Sequence, residues 1–223
     1  MTNHIVNSYD TELNELRHSV VKMANLVKEL ISIATTAIKN QDQSFVELAN
    51  TTDKKINHYD DEIEKLAIHV IALRQPMAID LRQVIAALKL AVILERMGDL
   101  SKKISYRFEY LPISLDPALS ELIINMVVTI ENLLDSVITA YDKLDDNLAT
   151  KVSKQDHLID QYYTDIMALL EAEMQKNSHN SKHLLKIVLA IRNLERIGDY
   201  ITKISYVIHY IITGDKKIYH SKN

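Results

Sequence analysis

The 223-residue chain has no cysteine, no tryptophan, and only 3 glycines and 3 prolines. Without cysteine it can form no disulfide, no thiolate-bound zinc or iron–sulfur site and no cysteine nucleophile. So few glycines and prolines cannot supply the many turns of a β-sandwich or barrel. The longest apolar stretches, such as Leu90–Leu94 and Met126–Ile130, are broken by charge or polarity, far short of the roughly 20 residues that span a bilayer. The N-terminus has no cationic start followed by an apolar core, so no secretory leader and no direct membrane insertion are expected. Lys plus Arg number 26 against 30 Asp plus Glu, a formal net charge of -4 that lacks the basic excess of a nucleic-acid binder. Lys216, Lys217 and Lys222 form a small basic tail that reads as solubilising. The chain is 47% apolar, enough to bury a core and to exclude a disordered chain. Long helices with few connections are left: a cytoplasmic, all-α protein.

The apolar spacing predicts six long helices of about 30 residues each, or about 45 Å at 1.5 Å per residue. The first runs from Tyr9 to Lys39, with Leu13, Leu16, Val20, Val21, Ala24, Val27, Leu30 and Ile31 on one face. The second covers Ser44 to Leu73. The third starts near Pro76–Ile79, where proline suits a first turn, and reaches about Tyr110. The segment from Leu111 to Pro117 holds the other two prolines and marks a boundary, with residues 1–111 and 112–223 as two units. The remaining helices cover Pro117 to Leu144, Asn147 to Gln175 and Ser181 to Thr213, the last closed by Gly214 as a cap glycine.

The two units are repeats. Leu94-Glu-Arg-Met-Gly-Asp-Leu-Ser-Lys-Lys-Ile-Ser-Tyr106 aligns with Leu194-Glu-Arg-Ile-Gly-Asp-Tyr-Ile-Thr-Lys-Ile-Ser-Tyr206, identical at 9 of 13 positions. Upstream, Asp53-Lys-Lys-Ile-Asn57 pairs with Asp156-His-Leu-Ile-Asp160. A tandem duplication of a three-helix bundle follows.

Glu95 and Asp99 lie one helical turn apart on one face, as do Glu195 and Asp199, Asp53 and Asn57, and Asp156 and Asp160. Like charges at that spacing cost a helix about 0.2–0.5 kcal/mol per pair, and here the cost is incurred in both halves. If the second and third helices of each unit are neighbours, the pairs converge into two all-oxygen clusters: Asp53, Asn57, Glu95 and Asp99, then Asp156, Asp160, Glu195 and Asp199. Hard metal ions such as Mg, Mn or Fe suit such donors. The bland alternative is a solvated face, with Asp99–Lys103 and Asp199–Lys203 as exposed ion pairs and Arg96 and Arg196 as local counter-charges. Asp60 and Asp61 extend the acidic face of the second helix and read as solvent-facing. Glu131 and Asp135 read as surface, with Lys28 at the position matching Glu131. Gly98 and Gly198 stand inside helices, where glycine costs about 1 kcal/mol, so each implies a close approach of a neighbouring helix or a ligand. The 11 tyrosines read as buried rings with wet hydroxyls. No Glu-x-x-His is present, which separates the chain from di-iron carboxylate bundles.

The duplicated Leu-Glu-Arg-(Met/Ile)-Gly-Asp at 94–99 and 194–199 resembles the PhoU family of phosphate-transport accessory and regulatory proteins. So do Arg74-Gln-Pro-Met-Ala-Ile-Asp-Leu-Arg82 and the Asp-x-x-Ile-(Asn/Asp) elements. The resemblance covers nearly the whole chain. It implies metal clusters on the eight residues named above and a non-enzymatic role beside a phosphate-specific ABC transporter. In that role the protein helps a membrane sensor histidine kinase report that phosphate is plentiful, which keeps phosphate-starvation genes off. The location implied is cytoplasmic, peripheral to the inner face of the membrane through protein partners, and a homodimer is compatible with it. Two departures stand out. Asn57 replaces the acid found at Asp160, and the Pro76–Arg82 element has no clear counterpart before the sixth helix. Two other readings compete: an enzyme using the bound metals, which lacks a repeating candidate base, and a metal-binding scaffold or storage protein without a phosphate-signalling role.

Overall fold

The computed structural model describes residues 2–40, 44–108 and 115–215, which contain no strand. Helices α1 (Thr2–Asn40), α2 (Ser44–Arg74) and α3 (Ala78–Phe108) make the first unit. The second consists of α4 (Pro117–Lys143), α5 (Asp146–Lys154), α6 (Asp156–Lys176) and α7 (Ser181–Thr213), with a 3₁₀ turn at Ser178–Asn180 leading into α7. The expected boundary between residues 111 and 112, the expected helix end at Tyr110 and the tail lysines 216, 217 and 222 lie outside the described residues.

The all-α duplicated architecture is as the sequence implied, with three differences in detail. The fifth predicted helix is divided at Gln155 into α5 and α6, yet Ala149, Val152, Asp156 and Ile159 stay buried at 3/4/3 spacing across the division. The first helix begins at Thr2 rather than Tyr9. Pro76 is not in the first turn of the third helix but in the connection before it, because α3 starts only at Ala78. That connection is tight: Gln75 and Ala78 both take left-handed backbone angles, φ 49° and 50°, unusual for residues with a side chain. It leaves Met77 80% exposed at the tip.

The start of α4 follows from its sequence. Oδ1 of Asp116 accepts from the backbone N–H groups of Ala118 (2.8 Å) and Leu119 (3.4 Å), and Pro117 fills the first helical position. Among the described helices, α4 is long and apolar enough to cross a membrane by length and composition. Searching the sequence for unbroken apolar runs overlooks it because its apolar residues are dispersed. Here Leu119, Ile123, Met126, Val127, Ile130, Leu134 and Val137 face inward as the core of the second unit.

The two units lie side by side, with α3 antiparallel to α7 and α1 antiparallel to α4. Arg82 at the start of α3 donates from Nε to the carbonyl of Ile211 at the end of α7 (2.8 Å), and Asn193 of α7 donates to the carbonyl of Leu100 (3.4 Å). Lys28 reaches Asp135 at 2.5 Å, and Arg17 lies 3.7 Å from Asp142. Asp135, read from the sequence as plain surface, is thus a bridge between units. The Arg74–Arg82 element is a clamp: Arg74 makes a two-pronged bond to Glu12, Asp80 accepts from the Tyr9 hydroxyl (2.9 Å), and Arg82 caps α7. The Tyr9 phenol is pushed up to about 12 by burial and by the hydrogen bond to Asp80.

Candidate functional site

The acid-bearing helices are neighbours because glycine lets them be. Around Gly98, a Cβ would meet Ile56 Cδ1 of α2 at 3.1 Å. Around Gly198, it would meet Ile159 Cδ1 of α6 at 2.7 Å and Asp156 Oδ1 at 3.5 Å. Ile56 and Ile159 occupy the same place in the two repeats, three residues after Asp53 and Asp156. Close helix packing is therefore what both glycines serve, and it brings α2 against α3 and α6 against α7 at the level of the acids.

In the first unit Asp53 is buried and Glu95 and Asp99 are half-buried, whereas Asn57 is exposed. The Glu95 carboxyl is held above its usual range, first by burial and then by the charges of Asp99, Asp60 and Asp53, with Arg96 opposing. Asp60 thus belongs to the cluster. It is half-buried, and its own carboxyl is raised by burial and by Asp61 and Glu64. The sequence reading placed Asp60 in solvent. The signal available was its position seven residues after Asp53, which returns it to the same helix face. Asp60 restores the charge that Asn57 removes.

A second unanticipated residue is Lys102. Its ammonium donates to Asp53 at 2.5 Å and stands 3.8 Å from Asp99. Lys103 pairs with Asp99 at 3.4 Å and Arg96 lies 3.5 Å from Glu95, so the ion pairs of the bland alternative exist in this half as well. Beyond the acids, Tyr106 donates to Asn50 at 2.8 Å and ties α3 to α2.

In the second unit Asp156 is buried, Asp160 and Glu195 are half-buried, and Asp199 is exposed. The Glu195 carboxyl is raised by burial first, then by Asp199, Asp160 and Asp156, with Arg192 opposing. The other three acids named from the sequence thus all act on Glu195. Lys203 lies over the Tyr200 ring, 4.5 Å from its centroid. Position 202, which matches Lys102, is a threonine.

The donor set of each half is oxygen only and carries four carboxylates, which fits a hard cation and no soft one. Among the described residues no three Asp, Glu or His side chains stand close enough to enclose a metal ion as they are placed. The acids share a field rather than a coordination sphere, and side-chain rotation would be needed to close them on an ion.

A family model described as the PhoU domain matches residues 20–108 and 123–208, once in each unit. The chain is 34% identical over 218 residues to a phosphate-specific transport system accessory protein PhoU homolog of Caulobacter vibrioides, covering 97% of this chain and 94% of that one. It is 31% identical over 222 residues to the phosphate-specific transport system accessory protein PhoU of Escherichia coli, covering 96% and 89%. Among solved structures, PhoU from Pseudomonas aeruginosa is similar at a TM-score of 0.87 and 26% identity, covering 93% of this chain and 100% of that one. The phosphate transport system regulatory protein PhoU from Streptococcus pneumoniae is similar at 0.86 and 28%, covering 95% and 100%.

Proposed function

The chain belongs to the PhoU family, and from that premise we propose that it is a regulatory adaptor of phosphate uptake rather than an enzyme. It links a phosphate-specific ABC transporter to a membrane sensor histidine kinase on the cytoplasmic side, and it represses phosphate-starvation genes when phosphate is plentiful. The observation that carries this reading is the full-length likeness to proteins named as accessory to phosphate-specific transport. The duplicated motif supports it, since both copies sit where paired helices meet.

In the same reading the clusters hold hard metal ions, Fe, Mn or Mg. Asp53, Asp60, Glu95 and Asp99, with the Asn57 amide oxygen within one turn, would serve the first. Asp156, Asp160, Glu195 and Asp199 would serve the second. A bound ion supplies a cross-link between helices and cancels the repulsion that raises Glu95 and Glu195. The residues themselves set the shape: Gly98 and Gly198 fix the helix separation, and the acids set which helix faces are drawn together.

The test is a phosphate-starvation reporter read in phosphate-rich medium, in cells lacking this gene and in cells complemented with it. Expression that is high without the protein and low on complementation is expected. Expression that stays low without it would overturn the adaptor reading and leave the metal-bearing scaffold as the better account.

A further inference from the structure

The acidic face of the first unit continues into an apolar one. Lys102 bonds to Asp53, Tyr106 bonds to Asn50 and Gly98 meets Ile56, so α2 and α3 run antiparallel in a fixed register. Followed towards the α2–α3 turn, that register sets Asp60 level with Glu95, Glu64 level with Val92, and Ile68 level with Leu88. Ile68 follows Glu64 by four residues and Val92 precedes Glu95 by three, so both continue the helix faces that carry the acids. Ile68 is 56% exposed and Val92 55%, and Leu81 and Met77 are exposed beyond them. The duplicated fold does not require these side chains: the positions matching Met77, Leu81, Val92 and Ile68 are Asn177, Ser181, Arg192 and Glu171. The turn that presents Met77 is held firmly. Gln75 and Ala78 keep strained left-handed angles, while Arg74 and Asp80 anchor it to Glu12 and Tyr9 of α1.

The acids at the other end of this face are not neutralised. Asp61 and Glu64 act on Asp60 as like charges, and among the described residues no basic side chain is paired with any of the three. Lys65, one turn from Asp61, lines the groove against α1 instead, with Glu15 and His18. The residues matching Asp60, Asp61 and Glu64 are Tyr163, Thr164 and Met167, so this charge too belongs to the first unit alone.

We propose that this face of α2 and α3 docks a basic amphipathic segment of a membrane protein, with apolar side chains on Ile68, Val92, Leu81 and Met77 and Lys or Arg against Asp60, Asp61 and Glu64. This inference rests on the adaptor reading. From Ala78 to Glu95 the face is about 25 Å long, some five turns of a helix. Cytoplasmic segments that flank membrane spans carry an excess of Lys and Arg, which is the charge that complements these acids. Other occupants fit less well. The anionic lipids of a cytoplasmic leaflet repel three uncompensated carboxylates. A second copy of this face brings the same acids and no spare cation, and would bury charge without a partner. A turn already fixed in shape loses little freedom on binding, which favours a rigid docking tip.

The experiment uses the purified full chain in chelator and fluorescent peptides of about five helical turns. The peptides tile the cytoplasmic segments of the phosphate-specific ABC transporter and the sensor kinase of the same cell, and binding is read by anisotropy at low and high salt. The tightest binders should join an apolar helix face to a Lys/Arg cluster. Asp60→Asn/Asp61→Asn/Glu64→Gln should weaken them about tenfold at low salt and remove most of the salt dependence. Ile68→Ser/Val92→Ser should weaken them about tenfold or more and leave the salt dependence in place. None of these five side chains is buried, so thermal melts of both variants should match wild type. Glu171→Gln, at the place matching Ile68, should bind as wild type does. Peptides that bind both face variants as tightly as wild type overturn the proposal and leave the adaptor reading to another surface. Binding to anionic vesicles without peptide binding, or self-association that Ile68→Ser/Val92→Ser abolishes, overturns it in favour of that occupant. No peptide binding by any form overturns it as well, and the reporter then decides the adaptor reading separately: repression by this gene keeps that reading, and its absence removes both.

Discussion

Gly198 lies so close beneath Ile159 that a Cβ on the glycine would stand 2.7 Å from the isoleucine Cδ1 and 3.1 Å from its Cγ2. The corresponding approach of Gly98 to Ile56 is looser, at 3.1 and 3.5 Å. Replacing a helical glycine by alanine gains about 1 kcal/mol of helix propensity, while overpacking a core costs about 1–3 kcal/mol. The two terms should divide the pair. Gly198→Ala is expected to destabilise the protein by about 1 kcal/mol net, and Gly98→Ala to stay within about 0.5 kcal/mol of wild type. Urea unfolding of both variants measures this, and a stabilised Gly198→Ala would contradict the packing role.

Much of this geometry was legible from the residues. Two glycines placed alike inside duplicated helices, each beside an acid pair, already implied close approach. The Asp53/Glu95 and Asp156/Glu195 sets were readable because a repeat displays the same spacing twice. Asp60 was missed because its repeat counterpart is Tyr163, so duplication carried no signal there and only the seven-residue return to the face of Asp53 did. Lys102 was missed for the opposite reason: an acid-before-base spacing on one helix draws attention to Lys103, whereas the Lys102 partner that matters, Asp53, comes from another helix. The roles of Arg74, Asp80 and Arg82 depend on contacts 62 to 129 residues away in sequence, which no local pattern encodes.

Glu95 and Glu195 set a pH dependence whose sign can be stated. Burial and neighbouring acids raise both carboxyls in the folded protein. A raised carboxyl binds its proton more tightly when folded, so its contribution to stability is fully present below the unfolded glutamate value of about 4.3. That contribution is lost as pH rises through the higher folded value. For these two groups, metal-free protein should therefore be more stable at mildly acid pH, near the unfolded value of about 4.3, than at neutral pH, until general acid unfolding sets in. Glu195→Gln should flatten that slope and raise the melting temperature at neutral pH in chelator. A slope identical to wild type in Glu195→Gln would assign the pH dependence to other groups.

Arg82 joins the units through a single backbone carbonyl. Its Nε donates to the Ile211 oxygen at 2.8 Å, one of the last carbonyls of α7, where the helix end carries partial negative charge. A Cβ on Gly214, in the left-handed cap with φ 79°, would stand 3.4 Å from the same guanidinium. Arg82→Ala is expected to cost about 1–2 kcal/mol. Hydrogen exchange should rise in the last turn of α7 more than in α2. Uniform exchange across the molecule would mean that Arg82 contributes only to the first unit.

Metal should act as a staple whose strength follows mass action. If Mn²⁺ binds the folded clusters and not the unfolded chain, the gain is about 2.7 kcal/mol at a hundredfold excess over the dissociation constant. The melting temperature should rise with added Mn²⁺ and return on chelation. The acids that meet at the α6–α7 contact predict where the gain resides: Glu195→Ala/Asp199→Ala should abolish most of it, because those residues leave α7 with nothing to share with Asp156 and Asp160. The same variant in chelator should be no less stable than wild type, since the acid repulsion that raises Glu195 disappears with it. The two halves of that result separate a metal staple from a packing role. A variant weakened equally with and without Mn²⁺ would show that Glu195 and Asp199 hold the helices together by contacts of their own, and a Mn²⁺ gain that persists would move the ion elsewhere.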